Sequence, residues 1–131
     1  MKKFYVASSF RNIEQVRSIS GQLKNKGYVQ TYDWTDNSRA STIKDLRDIG
    51  EKERIAVKDA DFIIVLLPAG KGSHIELGIA LGQGKPIFLH SPDDKVMNFE
   101  TTSTFYHVSG VEIVIGTTDR LFEKLEEENY I

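Results

Sequence analysis

The sequence contains no cysteine, which excludes thiol nucleophiles, cysteine-bound zinc and disulfides together. Net charge is also small, a formal -2 at pH 7, whereas a protein dedicated to polymeric nucleic acid normally displays a basic stripe. A small phosphate-bearing ligand stays open, because one arginine or one helix N-terminus can hold it. Long apolar runs are missing as well. The longest, Phe62 to Leu67, has the length of a strand and falls far short of a membrane span. The apolar run that follows Met1 is too short for a signal peptide. A soluble, cytoplasmic protein with no membrane partner is the expectation. His74, His90 and His107 show no paired spacing and no H-E-x-x-H pattern, so no metal site is expected.

What is present describes one domain spanning residues 1–131, with 40% hydrophobic and 27% charged residues, enough to bury a core. Phe4 to Ala7 reads as a buried strand closed by Ser8-Ser9. Asn12 with Gln15 can form a capping box opening a helix striped by Ile13, Val16, Ile19 and Leu23, and Gly27 ends it. Tyr28 to Tyr32 reads as a strand, and Asp33 to Thr42 as a polar loop holding the single tryptophan, Trp34. A helix follows from Ile43 to Lys58, with Ile43, Leu46, Ile49, Ile55 and Val57 as a patchy apolar face and Gly50 as a weak point. Asp61 to Leu67 is the strongest strand, apolar throughout and therefore central. A helix from Ser73 to Gly82, a strand from Ile87 to His90, a loop from Ser91 to Ser109, a strand from Val111 to Ile115 and a helix from Thr118 to Glu128 complete the chain.

Strands alternating with helices imply right-handed crossovers and a parallel sheet. The expected fold is α/β, a flavodoxin-like doubly wound five-stranded parallel sheet. In such sheets the ligand crevice lies beyond the carboxyl ends of the strands where strand order reverses. That places Ser8-Ser9-Phe10-Arg11 on one side of the crevice and Pro68 to Ser73 on the other.

Several residues near that crevice carry chemistry. Glu76 has two readings. Ser73-His74-Ile75-Glu76 matches the S-x-x-E capping box, in which the carboxylate only bonds back to the helix start. Alternatively, a carboxylate there faces a bound sugar. Gly70 and Gly72 free the backbone to approach a ligand, and Ser73 opens the helix behind them. The loop is neither a Walker A motif nor a G-x-G-x-x-G fingerprint, so it names no cofactor. Ser9 and Arg11 can hold a phosphate or carboxylate, or be an ordinary N-cap region with a solvated arginine. Trp34 can stack on a nucleobase or lie over the core.

Taken together, Ala60-Asp61 with the strand to Leu67, Gly72-Ser73-His74-Ile75-Glu76-Leu77-Gly78-Ile79-Ala80 and Gly84-Lys85-Pro86 resemble the nucleoside 2-deoxyribosyltransferase superfamily, which includes the 2'-deoxynucleoside 5'-phosphate N-hydrolases. The resemblance runs from Phe4 to about Leu89. It implies a nucleoside or nucleotide substrate, no cofactor, and a homodimer or larger homo-oligomer. It implies Glu76 as nucleophile, Tyr5 as its assistant and Glu53 at the position of the family's proton-donating aspartate, with Asp59 and Asp61 as nearby alternatives. It makes Ser9-Phe10-Arg11, next to Ser8, the 5'-phosphate loop. The activity implied is cleavage or transfer of an N-glycosidic bond through a covalent glycosyl-Glu76 intermediate. Rival readings are a TIR-like NAD glycohydrolase, a phosphoribohydrolase (Leu67 to Glu76 resembles its PGGxGTxxE motif, with Ala69 displacing a glycine) and a nucleotide sensor without catalysis.

Overall fold

Five strands and four α-helices alternate along the chain in the computed structural model, which describes residues 2–131. The order is β1 (Lys3–Ala7), α1 (Ile13–Asn25), β2 (Val29–Gln30), α2 (Ile43–Asp59), β3 (Phe62–Leu66), α3 (Lys71–Gly82), β4 (Ile87–Ser91), β5 (Val111–Ile115) and α4 (Thr118–Glu127). All strand pairs are parallel, in the order β2-β1-β3-β4-β5. This is the doubly wound α/β sheet expected from the sequence, and its order reverses between β1 and β3.

The core follows from the apolar runs. Every residue of β3 and β4 is buried, as is β1 from Phe4 onward. Strands covered on both faces bury consecutive side chains, which is why these segments read as runs and not as alternations. Ile64 sits in the middle, paired with Val6 on one side and Phe88 on the other, and has no exposed surface. Ile64→Ala is therefore expected to cost about 2–5 kcal/mol, read as a lowered midpoint in urea at unchanged slope.

Several elements differ from the sequence reading. β2 is a two-residue edge strand instead of Tyr28 to Tyr32, since it can pair only with β1 and the chain leaves it after Gln30. α1 begins at Ile13 behind Asn12 as expected, after a 3-10 turn over Phe10–Asn12, but the Asn12 side chain makes no cap. Gly50 does not split α2, which runs unbroken to Asp59. The apolar face assigned to that helix is mostly not in the core: Ile43, Leu46 and Ile55 are exposed, while Ala56 and Val57 are buried. Only the last turns of α2 pass beneath the sheet's cover, so the earlier apolar residues face outward or line a cavity. The connection from β4 to β5 contains two further 3-10 turns, Asp94–Met97 and Thr104–Tyr106. No helix of the described residues is long and apolar enough to cross a membrane.

Candidate active site

The carboxyl ends of β1 and β3 lie side by side, and short side chains stitch their following loops together. Ser8 Oγ donates to the Leu66 carbonyl at 2.9 Å, and Ser9 Oγ to the Pro68 carbonyl at 3.3 Å. The Asn12 amide donates both to Ser8 Oγ at 2.9 Å and to the Pro68 carbonyl at 3.0 Å. The Asn12 side chain thus ties the two loops instead of bonding to the helix start. Both serine hydroxyl protons are engaged by backbone carbonyls, so a ligand here meets serine oxygens that can accept.

The helix register bears on the capping-box reading of Glu76. α3 starts at Lys71, two residues earlier than Ser73, with Gly70 as its N-cap. The Ser73 hydroxyl accepts from the Gly70 N–H at 2.7 Å and donates to the Gly70 carbonyl at 3.0 Å, so Ser73 serves the helix start. Glu76 is the sixth residue of α3, out of reach of the cap. The capping-box reading is therefore corrected. Its side chain is 5% exposed and turns inward to Tyr5.

Tyr5, fully buried in β1, lies between two carboxylates. Its hydroxyl donates a hydrogen bond to Glu76 Oε2, and Glu53 Oε2 on α2 lies 3.4 Å from the same phenolic oxygen. Burial, reinforced by the adjoining Glu53 carboxyl, pushes Glu76 far above the ordinary carboxylate range, to about 9, against the opposing pull of the Tyr5 hydrogen bond. Burial and then the two carboxylates drive the Tyr5 hydroxyl strongly upward, so it stays protonated and donates. Asp61 lies apart, accepting from the Lys3 N–H at 2.7 Å at the amino edge of the sheet, and Asp59 is exposed.

Glu53 and Glu76 open into a cavity of about 860 Å³ at the reversal point, within the ~300–1,000 Å³ common for small-molecule sites. Of the residues singled out from the sequence, Ser8, Ser9, Phe10, Trp34, Gly70, Gly72 and Ser73 line it as well. Tyr5 sits behind the carboxylates, and Arg11 is exposed and outside the lining. Trp34 is buried, its indole N–H bonded to the Val6 carbonyl at 2.7 Å, and Phe10 meets it edge-on with ring centroids 5.4 Å apart. Phe10 itself is 66% exposed, an uncovered ring on the cavity wall.

The opposite wall was not read from the sequence. Asn37, Ser38, Arg39 and Ala40 of the β2–α2 loop line it, with Leu46 and Ile49 of α2 and Lys71 of α3. Leu46 and Ile49 stood out in the sequence only as part of the apolar face of the helix, with no sign that the face turns to a cavity. A shallower hollow of about 380 Å³, lined by Lys85, Glu112 and Glu128, lies at the amino ends of β4 and β5. It holds none of the residues that carry chemistry. The three histidines stay apart. His74 bridges the Gly70 carbonyl and the Tyr106 hydroxyl, His90 is held by the Gly116 carbonyl, and His107 by Thr102.

A family model described as nucleoside 2-deoxyribosyltransferase matches residues 4–124. Two solved structures resemble the chain across nearly its whole length. A CMP N-glycosidase of Clostridium botulinum is 22% identical with a TM-score of 0.62, the match covering 96% of this chain and 99% of that one. A 2-desoxiribosyltransferase from Leishmania mexicana is 19% identical with a TM-score of 0.58, covering 97% and 98%. At these identities the likeness is one of fold. No curated protein matches the sequence.

Proposed function

The chain belongs to the nucleoside 2-deoxyribosyltransferase family, and from that premise we propose that it breaks the N-glycosidic bond of a nucleoside or nucleoside 5'-monophosphate by way of a covalent glycosyl-Glu76 intermediate. The observation that carries this reading is the Glu53–Tyr5–Glu76 cluster, with Tyr5 buried behind the two carboxyls that line the cavity at the reversal of the sheet. One phenolic oxygen is within hydrogen-bonding reach of both carboxylates, so the two acidic groups meet at one point of the cavity. Carboxyls this close favour a retaining double displacement over the inverting arrangement, which holds them ~6.5–9.5 Å apart.

In the first step a Glu76 carboxylate oxygen bonds to C1' as the C1'–N bond breaks, and the Glu53 carboxyl gives its proton to the departing base. Tyr5 holds Glu76 in line. In the second step the oxygen of water, or the nitrogen of a second base, bonds to C1' and frees Glu76. Glu53 takes back the proton of the incoming group. Phe10 and Trp34 offer the aromatic wall for the base.

The test is release of free base from a panel of deoxynucleosides, their 5'-monophosphates, ribonucleotides and NAD, with and without an acceptor base. Failure to release base from any of them would sink the reading. A nucleotide that only raises the melting temperature would point to a sensor.

The same proposal assigns a 5'-phosphate to the rim beside Ser9, Arg11 and Gly70–Gly72. Arg11→Ala is then expected to raise KM for monophosphates by about tenfold and leave nucleosides unchanged, the size of one charge-assisted hydrogen bond. Should Arg39→Ala produce that pattern while Arg11→Ala does not, the phosphate lies on the opposite wall. A homodimer or larger assembly belongs to the same reading, and sedimentation equilibrium tests it.

A further inference from the structure

Trp34 forms part of the cavity wall, yet it sits on a polar loop that contributes little of its own to hold it. The indole N–H bond to the Val6 carbonyl fixes one end of the ring. The turn carrying the ring is fixed by a separate network. The Asp33 carboxylate accepts from the Thr35 N–H at 3.0 Å and from the Thr35 hydroxyl at 2.5 Å, closing an Asx-type turn around Trp34. With its proton given to Asp33, the Thr35 hydroxyl oxygen is left to accept. Arg17, from the middle of α1, supplies the donors: its Nε reaches Thr35 Oγ1 at 3.3 Å and its Nη2 reaches the Thr35 carbonyl at 3.1 Å. Thr35 is itself buried, so the guanidinium is the group that anchors this turn to the helix layer. Further along, the Tyr32 hydroxyl holds the cavity-lining Asn37 at 2.6 Å, but it reaches Thr35 and Trp34 by no bond of its own.

We propose that Arg17 is a positioning residue for substrate binding: by clamping Thr35 with two donors of one rigid fork, it sets the orientation of Trp34 and with it the width of the aromatic wall. The proposal rests on the reading of the cavity as the nucleoside site. Arg17 is absent from the lining and bonds neither carboxylate, so its effect belongs to binding and leaves the bond-breaking step alone. A lysine offers one point charge in place of the planar fork and can satisfy at most part of the arrangement.

The experiment uses the only tryptophan in the chain as its reporter, which makes the emission specific to this wall. In Arg17→Ala, Trp34 emission is expected to shift to the red and acrylamide quenching to increase. KM is expected to rise by about tenfold, as for loss of one charge-assisted hydrogen bond, with kcat within about twofold. Arg17→Lys should fall between the two. Thr35→Val, which removes the hydroxyl acceptor of Nε and leaves the carbonyl acceptor of Nη2, should shift KM and emission in the same direction by a smaller amount, so a folding defect in one variant does not decide the matter. Wild-type emission and wild-type KM in both Arg17→Ala and Thr35→Val would overturn the proposal. So would an equal fall of kcat and kcat/KM with unchanged emission. Because the emission is read without substrate, a protein that cleaves no nucleoside defeats the functional reading separately from this one.

Discussion

Glu76→Gln is expected to lower kcat by about 10⁴-fold or more while leaving the protein folded and more stable than wild type. The loss follows from the mechanism: an amide cannot form the glycosyl ester, and without the nucleophile only binding and partial protonation of the leaving group remain. The gain in stability follows from the site. Burial holds the Glu76 proton up to about 9, against an ordinary value of 4.5. Between those values the folded state keeps a proton that the unfolded chain releases, so ionisation of the unfolded chain draws the equilibrium away from the fold as pH rises. The wild type should therefore lose stability progressively from about pH 4.5 toward about pH 9, and a neutral glutamine removes that loss. Thermal melting of both proteins across this range should show the curves close together near pH 4.5. Toward alkaline pH they should separate by several degrees, in favour of the variant. A variant that retains activity would eliminate the covalent route, and one that is less stable at pH 8 would contradict the electrostatic account of Glu76.

The second large effect is on the pH dependence of turnover. The mechanism needs Glu76 as a carboxylate, while burial and the adjoining Glu53 hold its proton up to about 9. The charged fraction of Glu76 therefore grows with pH, so kcat/KM should climb across the neutral range and level off above about pH 9. Glu53→Gln should cut kcat by about 10²–10⁴-fold. It also removes a neighbour that raises Glu76, so the climb of the residual rate should move to lower pH. A climb that stays in place in Glu53→Gln would contradict the influence of Glu53 on Glu76.

Much of the architecture was legible because apolar runs and turn residues are local signals. The runs at Phe4–Ala7 and Phe62–Leu66 are buried strands, and Gly27 turns the chain at φ +96°. The position of the crevice came from topology alone, since strand order fixes where loops diverge. Boundaries were less legible. The start of α3 was misread because Ser73 satisfies the S-x-x-E pattern while its hydroxyl serves Gly70, two residues earlier, as the N-cap. The apolar residues Leu46 and Ile49 looked like a core stripe because periodicity cannot tell a face packed on a sheet from one turned to a cavity.

By itself, then, the sequence determined the alternation of strands and helices, the absence of thiol chemistry and a short set of residues at the sheet's carboxyl edge. Only the tertiary structure placed Glu76 beside Tyr5. Its meeting with Tyr5 spans 71 positions in the chain, and the Tyr5–Glu53 approach spans 48. Both depend on the rotation of α2 and α3 about their axes, which no local pattern encodes. The wall from Asn37 to Ala40 and the Arg17 clamp behind Trp34 were likewise decided there, because a polar loop acquires its place only from the helix it packs against.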